Sequence, residues 1–241
     1  MSYLVLMRDV ALLLDAGTGV ARLLEAPIAS LLQNYSRLNI ILSHYHLDHT
    51  IGLSYLPGVW GDRPVTLFAP EPPFTEASPS EALDRLLHPP LFTALRELPG
   101  PIEVVPFSRD SLQIGTLSIS LRAQKHPGGS VGIRIEDRLA YVTDTLVDQA
   151  TVDFVRGTNL VFHEVWLTDA EAEMDEVERL RHSFCTGVVQ IANEAGLDLL
   201  MPVHHHPRRP DSELREMAEK MQASTTTKIV IPQEGSIYEL I

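Results

Sequence analysis

A single cysteine, Cys185, stands in the 241 residues, so no internal disulfide can form and the chain fits a reducing cytoplasm. No apolar run approaches the roughly 20 residues that cross a bilayer. The N-terminus carries no basic segment followed by a long apolar stretch and a small-residue cleavage site, so no secretory leader is expected. Positive charge is scarce: 19 Lys and Arg face 32 Asp and Glu, leaving −13 at neutral pH. Such a surface repels polyanions beyond the reach of any local basic patch, which argues against extended nucleic-acid binding. A small anionic substrate stays possible, because bound divalent cations make a pocket locally positive. Internal repeats and low-complexity tracts are missing too. What is present is a 44% hydrophobic content, enough for a sizeable core in one large domain or two small ones.

Short apolar, β-branched runs bounded by turn residues predict strands over Tyr3–Met7 and Val10–Leu14, a hairpin around Arg8-Asp9, and over Leu38–Leu42 and Pro64–Ala69. Asp15-Ala16-Gly17-Thr18-Gly19 turns into a helical stretch ending near Asn34. Thr50–Leu56 reads as a short helix stopped by Pro57-Gly58. Residues 70–100 are proline-rich and loosely helical (Ser80–Leu87, Leu91–Leu98), an excursion that could cover a cleft as a lid. Strands follow at Ile102–Pro106, Leu117–Ala123, Val131–Ile135 and Leu139–Val142. Helix and strand then alternate, with strands at Leu160–Phe162, Leu199–Val203, Thr226–Ile231 and Ser236–Leu240 and helices at Thr186–Glu194 and Ser212–Gln222. Two runs of strands with helices around them predict a layered α/β sandwich in a single domain, 1–241.

The segment Ser43-His44-Tyr45-His46-Leu47-Asp48-His49 packs four metal-ligand side chains between a buried strand and a helix. Period-two alternation puts His44 and His46 on one side, and the turn swings Asp48 and His49 to a second point beside them. Paired clusters of imidazole and carboxylate suit two divalent ions. Four further positions end apolar strands with ligand-type residues: His126, Asp144, His163 and His204. Strand ends face shared clefts. Taken singly, a strand-end histidine is more often a satisfied core residue; the combination with the first motif reverses that reading.

These features resemble the metallo-β-lactamase superfamily over nearly the whole chain. Asp15-Ala16-Gly17-Thr18-Gly19 is similar to its early Asp-x-Gly turn, His44-Tyr45-His46-Leu47-Asp48-His49 to its signature, and His126, Asp144 and His204 to its later ligands in order. The resemblance implies a four-layer αββα sandwich and an enzyme, a metal-dependent hydrolase with two divalent ions. Zinc is the default, and manganese or iron is compatible with the same ligands. It implies His44, His46 and His126 on one ion, Asp48, His49 and His204 on the other, and Asp144 bridging, with attack by a metal-bound hydroxide that Asp48 also orients. Asp15 is either a support for the first loop or an ordinary turn aspartate. His205 and His206 either shape the mouth or lie in solvent.

His163-Glu164-Val165-Trp166 and His182-Ser183 resemble two elements of the ribonuclease Z branch. By that resemblance His182 protonates the leaving oxygen and Glu164 orients it; the alternative for His182 is a helix-edge residue. Cys185 is read as packing, not a nucleophile. The departures matter. The interval from His126 to Asp144 leaves room for a hairpin and not for a tRNA-gripping arm, and the acidic balance argues the same way. The branch's usual first strand, ahead of Ser2, is not expected, which would expose a sheet edge and allow a homodimer. The reading is a phosphodiesterase of small or cyclic phosphodiesters. The alternatives are a ribonuclease Z-type tRNA 3′-endonuclease and a carboxylic ester or lactone hydrolase, with a non-enzymatic binding module as the third class.

Overall fold

The computed structural model describes residues 1–240. Its internal contacts divide the chain into two units, Met1–Ser118 and Ile119–Ile241. Among the described residues no helix is long and apolar enough to cross a membrane.

In the first unit β1 (Tyr3–Met7) and β2 (Val10–Leu14) form the expected hairpin around Arg8, whose φ is +54°. Strands β3 (Leu38–Ile41), β4 (Val65–Pro70) and β5 (Ile102–Phe107) add in parallel, giving a sheet ordered β1-β2-β3-β4-β5. β1 is an edge strand of half-buried residues. β2 and β4 are buried throughout, the pattern of strands covered on both faces. Helix α1 (Ala26–Leu32) follows a 3₁₀ segment at Thr18–Leu24. Helix α4 (Pro79–Leu86) opens with a capping box from Ser78 and Glu81. Leu83 and Leu87 join the core formed by Leu13, Ile40, Leu67 and Trp60, so the 70–100 excursion is anchored on its own unit.

The signature loop folds differently from expectation at one point. Thr50–Leu56 is not one helix: α2 (Leu47–Thr50), a 3₁₀ turn (Ile51–Tyr55) and α3 (Leu56–Val59) follow each other, and Pro57 and Gly58 lie inside α3. Proline near a helix start loses no hydrogen bond, so it begins this turn and does not stop the preceding one. Gly52 is fixed by a close approach. A Cβ there would stand 2.1 Å from the Gly17 carbonyl oxygen, while the Gly52 amide donates to the Ala16 carbonyl at 2.7 Å. Gly52→Ala should therefore cost about 1–3 kcal/mol through overpacking, a fall in Tm of roughly 3–10 °C for a chain of this size. An unchanged melting curve would show that the loop has slack.

β6 (Ser111–Ile114) is an additional strand, and the chain enters the second unit along β7 (Leu117–Gln124). There β8 (Ser130–Ile135) and β9 (Leu139–Val142) form a hairpin that fills the interval between His126 and Asp144. β10 (Leu160–Glu164), β11 (Leu199–Val203) and β12 (Lys228–Ile229) continue in parallel, in the order β12-β11-β10-β9-β8-β7. β12 is shorter than expected, and Ser236–Leu240 is not a strand. Helices α5 (Ala150–Val155), α6 (Asp169–Met174) and α7 (Glu176–Arg179) are additions to the expected set. Helix α8 (Cys185–Ala195) buries Cys185, Val188, Val189 and Ala192, one face at helical spacing, and ends at Gly196 with φ +66°. Met217 and Met221 of α9 (Asp211–Gln222) complete that core against Val142, Val161 and Leu200.

Candidate metal centre

Each unit presents ligand-type side chains where parallel strands end, and the backbone there is unusual. Asp15, Asp144 and His204 follow β2, β9 and β11, and all three are non-glycine residues with positive φ, at +57°, +47° and +50°. The left-handed region costs an L-residue energy and persists where the surroundings hold it, commonly at functional sites.

In the first unit β3 leads into Ser43 and His44, both buried. The His44 and His46 rings lie 4.7 Å apart edge-on, and those of His44 and His49 are 4.3 Å apart. Asp48 Oδ2 is 3.1 Å from His49 Nε2. Behind them Asp15, fully buried, accepts the Ser43 amide at 2.6 Å, the Ser43 hydroxyl at 2.8 Å and His49 Nδ1 at 2.7 Å. Since the Ser43 hydroxyl donates to Asp15, its oxygen accepts from His44 Nδ1 at 2.9 Å. Burial pushes the Asp15 carboxyl up, but the His49 imidazole and the other donors outweigh it, and the group stays below the usual carboxylate range. The Asp15 carboxylate, directly at His49 and through the Ser43 hydroxyl at His44, holds each ring's N–H at Nδ1 and leaves Nε2 as the ligand atom, the arrangement that supports metal-bound histidines. Asp15 thus supports the loop and is more than a turn residue.

In the second unit Glu164 pairs in register with Val203, and His163 with both Val142 and Pro202, so three strands end together. His126 Nε2 lies 3.5 Å from Asp144 Oδ1, and His204 Nε2 lies 3.6 Å from Asp144 Oδ2. These are long for hydrogen bonds. They match the roughly 3.4 Å between two ligand atoms bound at ~2.1 Å to one tetrahedral ion. His126 Nδ1 faces the Arg181 carbonyl at 3.1 Å and His204 Nδ1 faces Glu164 Oε2 at 3.3 Å, so Nε2 is again the atom presented. On geometry and donor chemistry these residues fit a divalent ion.

Glu164 is fully buried. Its Oε2 accepts His182 Nδ1 at 2.8 Å, and its Oε1 accepts the Thr145 and Ser183 amides at 2.6 and 3.3 Å. Burial raises its pKa, yet the His182 and His204 hydrogen bonds outweigh that and it remains ionised below the usual range. Ligand atoms of Asp144, His182 and His204 all lie within 4.8 Å of one another. The His182 ring stacks on Trp166 at 4.6 Å and 17°, and His204 on the same indole at 5.0 Å and 29°.

Other candidates resolve differently. His163 is buried with Nδ1 on the Glu164 carbonyl, and burial lowers its pKa. β10 runs two residues further than expected, so alternation gives the site to Glu164 and the core to His163. His205 Nδ1 meets the Val165 carbonyl, and His206 lies edge-on to Trp166. Burial, then the Asp169 charge, push the Cys185 thiol up to about 12, consistent with packing. Ser43, Thr145 and Ser183 carry supporting roles that the sequence reading missed; they are small polar residues beside motif positions, and only the fold shows which of them donate.

Residues 11–205 match the beta-lactamase superfamily domain. A ribonuclease Z from Synechococcus sp. (strain WH7803) is 26% identical over 232 residues, 70% of this chain and 68% of the relative. The metallo-β-lactamase fold protein YhfI from Bacillus subtilis superposes with a TM-score of 0.74 at 20% identity, over 98% of this chain and 90% of its own. A diphosphatase from the PhnP family superposes with a TM-score of 0.66 at 17% identity, over 99% and 84%. The chain therefore belongs to the β-lactamase superfamily and has the metallo-β-lactamase fold.

Proposed function

We propose that the chain is a dinuclear metal-dependent phosphodiesterase of small or cyclic phosphodiesters, working as one domain. In this reading His44, His46 and His126 would hold one ion, Asp48, His49 and His204 would hold the second, and Asp144 would serve both. Zinc is the expected metal for this imidazole and carboxylate set, with manganese or iron accepted. The ions, when bound, supply an activated water and neutralise the phosphoryl charge. Asp48 orients that water by accepting its hydrogen bond. His182 Nε2 would give its proton to the leaving oxygen as the ester P–O bond breaks, and Asp48 would take the proton that the attacking water gives up. Glu164, hydrogen-bonded to His182 Nδ1, keeps the ring in that orientation and stabilises the protonated imidazole.

The observation that carries this reading is the buried His182–Glu164 pair at 2.8 Å beside Asp144 and His204. Carbonyl esters and lactones need less protonation of the leaving group, and a tRNA endonuclease needs a grip. The β8–β9 hairpin and the net charge of −13 supply none. Loaded with Zn²⁺ or Mn²⁺, the protein is expected to cleave bis(p-nitrophenyl) phosphate and a 2′,3′-cyclic nucleotide and to leave lactones intact. Lactone turnover without diester turnover would replace the reading. Retardation of a precursor tRNA in a low-salt gel would move it to the endonuclease.

A further inference from the structure

Between β10 and α8 the chain runs through Trp166, Leu167 and the short helices α6 and α7. A cavity of about 230 Å³ lies there, lined by Trp166, Leu167, Met174, Asp175, Glu178 and His206 among others. None of these is a proposed metal ligand or the proposed acid. The indole of Trp166 connects the two regions: it stacks on His182 and His204 and meets the His206 ring at 5.1 Å. Trp166 is thus both a wall of the cavity and the ring against which His182 and His204 stack.

Its chemistry is mixed in a selective way. Trp166, Leu167 and Met174 give apolar wall, and α6 and α7 expose Met174, Val177 and Leu180 by 80%, 58% and 59%. Exposed apolar side chains concentrated on one short segment mark a binding surface more often than chance. The charged lining is acidic, with Glu171 joining Asp175 and Glu178. The guanidinium of the buried Arg209 is engaged by Glu171 and Glu213, and Arg181 lies 3.6 Å from Glu178. An anionic group entering here meets carboxylates; a neutral or cationic one meets an indole and apolar carbon.

We propose that this cavity receives the alcohol portion of the substrate and selects an apolar group without negative charge. Its volume is below the roughly 300–1,000 Å³ of pockets for drug-sized ligands, which sets the size near a single ring or short chain. The proposal rests on the phosphodiesterase reading of the adjoining His182, and it disfavours polynucleotides, whose leaving portion carries phosphates.

Calorimetric titration of the metal-loaded protein with three phenols tests binding apart from turnover: p-cresol, (4-hydroxybenzyl)trimethylammonium and 4-hydroxybenzenesulfonate. The first two should bind at least roughly 10-fold more tightly than the sulfonate, and Glu178→Lys should close that gap. Methyl diesters of the same phenols, corrected for intrinsic reactivity, should rank alike in kcat/KM. Equal binding of all three phenols, no binding of any, or a gap untouched by Glu178→Lys overturns the cavity's role. Ranked binding with no diester hydrolysed removes the phosphodiesterase reading and leaves the cavity's selectivity standing.

Discussion

His182→Ala should lower kcat on a 2′,3′-cyclic nucleotide by roughly 10²–10⁴-fold, the range that a positioned general acid contributes. On bis(p-nitrophenyl) phosphate the loss should be far smaller, because p-nitrophenolate leaves without a proton. The difference between the two substrates identifies proton donation; a structural defect would depress both alike. The variant should keep its metal. His182 faces Glu164 through Nδ1, and Glu164 retains the Thr145 and Ser183 amides and His204 when the ring is gone. Glu164→Gln should show a weaker version of the same substrate dependence, because the amide still orients the ring but no longer stabilises its charge. Loss of bound metal in His182→Ala, or equal losses on both diesters, would remove the acid assignment.

Asp144→Asn should have the larger effect. Asparagine keeps the shape, accepts from the Thr143 hydroxyl that now bonds Asp144 Oδ2 at 2.6 Å, and tolerates the φ of +47°. What it loses is the anionic oxygen between His126 and His204, at 3.5 and 3.6 Å. If Asp144 bridges, metal content falls and activity drops by on the order of 10³-fold or more. That is the several kcal/mol a bound ion gives the transition state, converted at 1.36 kcal/mol per decade. With metal removed from both proteins, the variant should melt at or above the parent's Tm, because the Asp144 charge acts against the neighbouring Glu164 carboxylate. A carboxylate kept for structure alone would do the reverse, lowering Tm while sparing metal and rate.

Much of this was legible before any coordinates. The hairpin Tyr3–Met7 and Val10–Leu14 and the strands Leu139–Val142 and Leu199–Val203 agree residue for residue. Unbroken apolar runs between turn residues leave little freedom of register. β6 escaped notice because Ser-Leu-Gln-Ile is short and half polar, and α7 because Glu-Val-Glu-Arg buries nothing. Ser236–Leu240 has the composition of a strand and, among the described residues, no partner strand that makes it one. At the site, residue type and strand-end position picked out Asp144 and His204, and the resemblance pointed to Asp15, but their left-handed backbone was not visible. The Glu164–His182 pairing was expected from the branch resemblance, but the second partner of that carboxylate, His204, lies 40 residues away in sequence and was not. Trp166 stood in the sequence only as the last residue of the His163-Glu164-Val165-Trp166 element; its stacking on two imidazoles gives it a role.

Elemental analysis of the protein purified without chelator counts the ions that the proposed ligands hold. The prediction is two divalent ions per chain in the parent and fewer in Asp144→Asn, with the second ion regained on titration of the parent after chelator treatment. A parent chain that holds no ion, or saturates at one, contradicts it.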